Sequence, residues 1–536
     1  MSKKTNYISE KEEMTVQIPK ISDIPEAERT ALVLLLLEIL AQLKEENQLL
    51  KDEIARLKGQ KPRPKIEPSK LEKPKPKIKS LDLKRPGSEK RCKTQQITIH
   101  DTIEIPPENI PEGSRFKGYQ DFVVQDIKIE GSNTLYRVER WQTPDGDTIM
   151  GKLPVDISGS HFAPNLQAFI LYQYYHAIVT QPLLLEQLHE FGVDISSGHL
   201  SHIITEGKDR YHSEKDEILA TGLEISDFIQ VDDTGARHDG KNGVCTFIGN
   251  DLFAYFESTD SKSRINFIEL LRAGYRDYVI NADALAYMAS HGLGSAQLAK
   301  LAPLMPSTFE TIDNWDAKLN ELGITGARHV QIATEGALIG SIIEHGFNRD
   351  IAILSDDAGQ FNIFNHALCW IHAERTFCKL IGFSDENIQA LDNTRSQIWE
   401  LYAELKEYKE LPDDQKKARI KSRFDEIFTQ QTCFASLNQA LKRIYQNKSE
   451  LLLVLDRPEI PLHNNLSESD IREYVKRRKV SGSTRSRSGR KCRDTFTSLK
   501  KTCRKLGVSF WEYIKDRVEN LNTIPRLSVL MRVAAS

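Results

Sequence analysis

The strongest periodicity along the chain repeats every seven residues near its start. Leu36, Leu43, Leu50 and Leu57 take the d positions of a heptad, and Val33, Leu40, Asn47 and Ile54 take the a positions. Glu46 and Glu53 then fall at g, with Lys44, Lys51 and Lys58 at e, so that Glu46–Lys51 and Glu53–Lys58 pairs can form between chains. A single Asn at a favours a parallel, in-register pair of helices. One amphipathic helix packed on its own domain is the plainer alternative, but it has no use for Asn at a or for matched charges at e and g. Residues 28–58 are therefore expected to be a leucine-zipper coiled coil, dimerising through Leu36, Leu43, Asn47, Leu50 and Leu57, after a flexible stretch 1–27. The apolar run 31–40 is too short for a bilayer, which takes about 20 residues, and Glu38 interrupts it.

The pattern then changes several times. Residues 59–95 are rich in Lys and Pro without periodicity, which predicts an extended basic linker. Alternation in Val123-Val124-Gln125-Asp126-Ile127-Lys128-Ile129 and a turn at Pro144-Asp145-Gly146-Asp147 predict a small β-rich domain over 96–160. Residues 161–225 read as helical. A short amphipathic helix from Gln181 ends at Phe191-Gly192, and Ser196 can cap a second helix that turns Leu200, Ile203 and Ile204 inward. Its outer face carries Ser197, His199, Ser201 and His202, so this helix-turn-helix could offer them to a DNA major groove. Two helices joined by Gly are also common in any α domain. Strands are expected at 228–233, 244–249 and 252–257, with a helix over 263–272 and a further strand ending at Asp356. This organisation assigns 226–383 and 451–515 to a core, 384–450 to a helical insertion and 516–536 to a C-terminal tail.

Charge sharpens this picture. The chain of 536 residues has a net charge of −3, yet the stretch 58–95 holds 14 Lys/Arg against 4 Asp/Glu, and 472–504 holds 13 against 2. Two basic blocks in a near-neutral chain point to a polyanion, and DNA is the natural candidate; a solvated linker and a solvated helix face are the plainer reading. Within the second block, Arg477, Arg478, Lys479, Arg485 and Arg487 are the candidate phosphate contacts. Seven cysteines without a regular framework fit reduced thiols and a cytoplasmic protein, and no membrane partner is expected.

Three carboxylates carry the candidate chemistry. Asp232 ends the run Phe228-Ile229-Gln230-Val231, Asp356 ends Ile351-Ala352-Ile353-Leu354-Ser355, and Glu468 opens a helical stretch after Asn464-Asn465. Mg²⁺ prefers hard oxygen ligands, and two such ions about 4 Å apart can activate a water or a 3′-hydroxyl and stabilise the leaving oxygen. Two aspartates at strand ends and a glutamate on a later helix suit an α/β ribonuclease-H-like catalytic core with helical insertions. The same residues admit a plainer role. Asp232 and Asp356 could be strand-to-turn exits, and Glu468 with Asn465 could be a capping box.

At this point the residues resemble a family, the insertion-sequence-66 family of bacterial DDE transposases, from about 160 to 515. The matching pieces are Val231-Asp232-Asp233-Thr234, Ser355-Asp356 with Phe361, and Cys369-Trp370-Ile371-His372-Ala373-Glu374-Arg375-Thr376-Phe377. Asn464-Asn465-x-x-Glu468 with Arg472, Arg478 and Lys479 completes them. The resemblance implies a DNA transposase that cleaves insertion-sequence ends and transfers strands into target DNA. Asp232, Asp356 and Glu468 would be its catalytic and metal-holding residues for two Mg²⁺ ions, with Mn²⁺ an admissible substitute. Cys369, His372, Arg375, Asn465 and Arg472 would support the site. Cys369, His372 and Cys378 offer only three of the four ligands a structural zinc wants. Double-stranded DNA and a second or further copy of the chain are the implied partners, with room for accessory proteins, in the bacterial cytoplasm near the nucleoid. The alternatives are an inactivated or domesticated transposase acting as a dimeric DNA-binding protein, and a nuclease of the same fold without strand transfer. One departure stands out. The family's usual cysteine-rich zinc-binding segment after the zipper is missing, since only Cys92 lies before residue 245.

Overall fold

The computed structural model describes Val33, Leu36, Ile39, Leu40 and Leu43, and residues 98–120, 122–154 and 160–535. These fall into two units divided after Ser132. In the first unit, the five described zipper positions are helical, with Leu36 and Leu43 about half exposed, at 48% and 53%. Asn47, Leu50, Leu57 and the linker 59–95 lie outside the described residues. Residues 98–120 and 122–132 form no strand or helix, and none is buried.

The second unit begins with a lone hairpin of β1 (Arg140–Gln142) and β2 (Thr148–Met150), joined through the expected Pro144–Asp147 turn. All six strand residues are exposed, Trp141 and Ile149 among them. Of the small β-rich domain expected over 96–160, the described residues show this one hairpin. Alternation alone does not make a domain: a two-stranded hairpin needs further strands or a helix to cover its apolar face.

From Pro164 onward the chain packs tightly. Helices Pro164–Tyr175, Gln181–Glu190, Ser197–Thr205 and Asp209–Ile225 lead into a five-stranded mixed sheet. Its strands are β3 (Phe228–Gly235), β4 (Val244–Gly249), β5 (Ala254–Thr259), β8 (Ala352–Ser355) and β9 (Asn365–Leu368), in the order β5-β4-β3-β8-β9. β3, β4 and β5 are antiparallel neighbours, whereas β3, β8 and β9 run parallel. Between β5 and β8 lie helices and a small antiparallel pair, β6 (Tyr278–Ile280) with β7 (Ser307–Phe309). Central strands covered on both faces should be near-continuously apolar, and Ile229, Val231, Ile353 and Leu354 are fully buried.

Each face has its own cover. Ile229, Val231, Ile248 and Ile353 join the large core with the N-terminal and C-terminal helices. Phe247, Phe256, Ile471 and Tyr474 form a second core under the helix Asn465–Ser481. A third belongs to the helical insertion, Asp385–Glu410, Asp414–Thr429 and Ala435–Gln446, where Trp370 and Phe377 enter it.

The edge strand β5 is sealed by the helix Arg487–Lys505. The N–H groups of Ala254, Phe256 and Ser258 donate to Thr502 Oγ1 (3.1 Å), Ser498 Oγ (2.9 Å) and Asp494 Oδ2 (2.9 Å). Two residues of strand rise about 6.6–6.8 Å and four of helix about 6.0 Å, so the two spacings match closely enough for side chains to bridge them. An exposed row of strand N–H groups would invite pairing with another chain.

Candidate active site

The β3–β8 register does most of the positioning. Phe228, Ile229 and Gln230 pair with Ala352, Ile353 and Leu354. Carried two residues further, this register sets Asp232, within β3, beside Asp356, the first residue past the end of β8. Asp232 lies opposite Phe247 on β4. It therefore faces the side of the sheet that Phe247 shares with Ile471 and Tyr474 of the covering helix. Glu468 is one turn before Ile471 on that helix, and residues three apart lie on one helix face.

The charges report the proximity. Burial pushes the Asp232 carboxyl up to about 7, and the negative charges of Asp356, Asp233 and Glu468 push the same way. Opposing them is the Asp233 N–H, which donates to Asp232 Oδ1 at 2.7 Å. Asp356 Oδ1 accepts the Ala358 N–H at 3.2 Å.

Asp233 is different, although it is the next residue. Its carboxylate points to the opposite face and accepts from Thr246 Oγ1 (2.7 Å) and Gln360 Nε2 (2.8 Å), with Lys262 Nζ at 3.6 Å. It is a fastening between β3, β4 and the loop after Asp356. Asp357 is exposed and pairs with Arg443 of the helical insertion at 2.5 Å.

Buried polar side chains fix the start of the Glu468 helix. Asn464 Nδ2 donates to Val231 O at 3.2 Å, and the Ser467 N–H donates to Gln230 Oε1 at 3.3 Å. The Asn464 N–H donates to Cys369 Sγ at 3.3 Å. Three elements thus meet at one point. The support expected from Asn465 belongs to Asn464, because Asn465 is exposed while Asn464 is buried. Gln230 was legible as the one polar residue inside an apolar strand, and Ser467 only as part of the motif.

Glu468 does not fold back as a capping box. Its Oε1 lies 3.2 Å from Arg375 Nη1 and 3.6 Å from His372 Nε2, and its Oε2 lies 3.5 Å from Arg472 Nη2. Arg375 Nη1 also donates to His372 Nε2 at 3.0 Å. Burial and the neighbouring Arg375 hold the His372 imidazole below its ordinary pKa. Cys369 is buried with its thiol pushed up, as suits a packed residue. Trp370 packs on the helical insertion rather than on the sheet, its Nε1 donating to Leu451 O at 2.9 Å. Among the described residues no three His, Cys, Asp or Glu side chains converge closely enough to hold a metal ion, the Cys369, His372 and Cys378 group included. Asp232, Asp356 and Glu468 are nonetheless near enough for their charges to act on one another.

Of the expected DNA contacts, Arg477 is corrected. It is 4% exposed, donates to Tyr174 O at 2.9 Å and lies over the Tyr174 and Tyr175 rings. A guanidinium so enclosed has no phosphate to reach. Arg478 is half-buried and donates to Gly235 O and Thr234 Oγ1, tying the helix to the end of β3. Lys479, Arg485 and Arg487 are exposed. Much of the rest of the basic block is internal: Arg493, Lys500 and Lys501 are buried, with Lys500 on Glu473 (2.6 Å) and Lys501 on Asp470 (3.1 Å). In the helix-turn-helix, the Ser196 side chain accepts from the His199 N–H and Leu200, Ile203 and Ile204 are buried. Ser197, His199 and His202 are exposed and Ser201 is half-buried.

Residues 352–491, which run from β8 through Asp356 and Glu468 into the basic block, match the transposase IS66 family. A protein of Sinorhizobium fredii described as uncharacterized protein y4jO is 42% identical over 303 residues, covering 56% of this chain and 94% of its own length. The chain belongs to the transposase IS66 family. Asp232 lies outside the family match but in the same sheet. No helix among the described residues is long and apolar enough to cross a membrane.

Proposed function

We propose that this transposase-family chain is an active DNA transposase, cleaving insertion-sequence ends and joining the freed strand to target DNA, with Asp232, Asp356 and Glu468 as its catalytic carboxylates. The single observation that carries this reading is the Asp232 environment. A half-buried carboxylate is set beside a second one by strand register and under a third by helix packing, and among the described residues no cation or side-chain donor pairs with it. Such crowding is unfavourable for a structural residue and suits a cation-binding one. The strand order β5-β4-β3-β8-β9, antiparallel then parallel, supports a ribonuclease-H-like sheet.

The donor set fits a hard divalent cation: three carboxylates, with Asp232 accepting one N–H among the described residues. These three carboxylates would hold Mg²⁺, whose chemistry there would be to neutralise this charge and activate a water or 3′-hydroxyl. The chain's own part is placement. Asn464, Ser467 and Gln230 hold the helix to the strand, Gln360 and Asp233 hold the loop after Asp356, and Arg375 stands ready to meet a phosphate beside Glu468. The exposed face of Ser197, His199 and His202 is assigned to DNA, and the heptad to dimerisation.

Asp232→Asn, Asp356→Asn and Glu468→Gln are each expected to abolish strand cleavage while leaving DNA affinity near wild type and the melting temperature no lower than that of wild type. If Glu468→Gln only lowered stability, by about 1 kcal/mol as for a lost cap, and kept cleavage, Glu468 would be a structural residue.

A further inference from the structure

Beyond the carboxylates, the loop between β3 and β4 is docked on another part of the chain in a way the fold does not require. Thr484 is buried and takes three hydrogen bonds with this loop. Its N–H donates to Arg237 O at 3.2 Å, its carbonyl accepts the Asp239 N–H at 2.8 Å, and its Oγ1 lies 2.8 Å from His238 Nδ1. His238 and Lys241 close the loop tip by exchanging backbone hydrogen bonds at 3.0 and 2.8 Å. Arg478 fastens the base of the same loop through Gly235 O.

This docking brings cations from two distant stretches onto one ledge. Arg237 and Lys241 come from the loop, Lys479 from the last turn of the Glu468 helix, Arg485 from the turn after it and Arg487 from the start of the next helix; all five are exposed. Asp239 is the one carboxylate within the loop, and nearby Asp260 is already paired with Arg490 at 2.7 Å. The ledge continues from the end of β3, the strand that carries Asp232. Exposed cations held by a rigid backbone, rather than by a free tail, can engage successive phosphates without much ordering of the chain.

We propose that Arg237 and Lys241 of the β3–β4 loop, locked to Thr484, join Arg485 and Arg487 in a phosphate-binding ledge that guides a DNA strand toward the carboxylates. This assignment rests on the transposase reading for its ligand, but adds a surface and two residues to it. The ledge reads backbone charge and contributes no base preference.

The test uses the full-length protein and a fluorescent duplex of arbitrary sequence, with affinity measured at several KCl concentrations. The double variant Arg237→Gln/Lys241→Gln is expected to flatten the dependence of log affinity on log salt by about 1.8, at about 0.9 for each phosphate no longer neutralised. Arg237→Lys keeps the charge and is expected to keep the wild-type slope. Lys416→Gln/Lys421→Gln removes two exposed cations from the helical insertion, and is expected to leave the slope unchanged. A steep wild-type slope that the ledge variant does not alter, with its melting temperature intact, would overturn the ledge alone. An equal loss from the insertion variant would also overturn it, since net charge would then explain the effect. Absence of salt-dependent binding by the wild type would overturn the DNA reading itself.

Discussion

Glu214 and Asp232 are two carboxylates of one body with opposite fates. Glu214, almost fully buried, accepts from Arg517 Nε and Nη2 (both 3.0 Å), from Tyr513 OH (2.9 Å) and from the Leu527 N–H (3.0 Å). Burial pushes its carboxyl up, but these donors outweigh it and hold Glu214 below its ordinary range. Asp232, only half-buried, also pays for burial, but has one N–H and three carboxylates, Asp356, Asp233 and Glu468, acting on it, and is pushed up to about 7. The difference separates a charge that the fold satisfies from one that it leaves for a ligand. Satisfied carboxylates join elements, whereas crowded ones mark where chemistry is expected.

The contrast is broken most severely at Arg517. Arg517→Ala strands Glu214 and Asp516 inside the protein and is expected to cost about 3–5 kcal/mol, read in urea unfolding; a loss below about 1 kcal/mol would mean that the network is slack. The two carboxylates should also respond oppositely to pH. Glu214, with its lowered pKa, contributes stability that is present above the unfolded value of 4.5 and is lost as pH falls through its folded pKa. Asp232, with its raised pKa, favours the fold below 3.8 and loses that contribution as pH rises from there to about 7. In metal-free buffer, Asp232→Asn should therefore gain on wild type across this window, by at most about 4 kcal/mol at about 1.4 kcal/mol per unit. Parallel stability curves for the two proteins would remove the crowding.

Smaller effects test the fastenings. Asn464→Ala leaves the Val231 carbonyl without its partner and is expected to cost about 1–3 kcal/mol, seen as an earlier urea midpoint. Asp233→Asn keeps an acceptor for Thr246, and Gln360 can turn its amide to meet the new NH₂ group. It should cost only about 1 kcal/mol.

How much of this was legible in the sequence depended on what each residue needed. The apolar runs ending at Asp232 and Asp356 located β3 and β8 because strands buried on both faces leave a continuous signature. β5 was expected two residues early, at 252–257, because Phe253 extends its apolar run into the turn. Four-residue β9 gave no readable period. The basic block misled for a specific reason. Its periodicity mixes exposed cations with Arg477, Arg493, Lys500 and Lys501, whose partners on Tyr174, Gly482, Glu473 and Asp470 come from other elements or turns. Likewise, composition could not separate Asp232 from Asp233. Their side chains diverge only because β3 alternates faces, and only the pairing with Thr246 and Phe247 says which face is which.

That alternation also supplies the most direct measurement. Cleavage of a duplex carrying the element's terminal sequence, with Mg²⁺ present, should be compared for Asp232→Asn and Asp233→Asn side by side. Asp232→Asn is expected to lose about a thousandfold or more, a barrier change of several kcal/mol, while Asp233→Asn stays within about tenfold of wild type. Survival of cleavage in Asp232→Asn, with its loss in Asp233→Asn, would contradict the assignment of Asp232 and of the sheet face on which the reaction is placed.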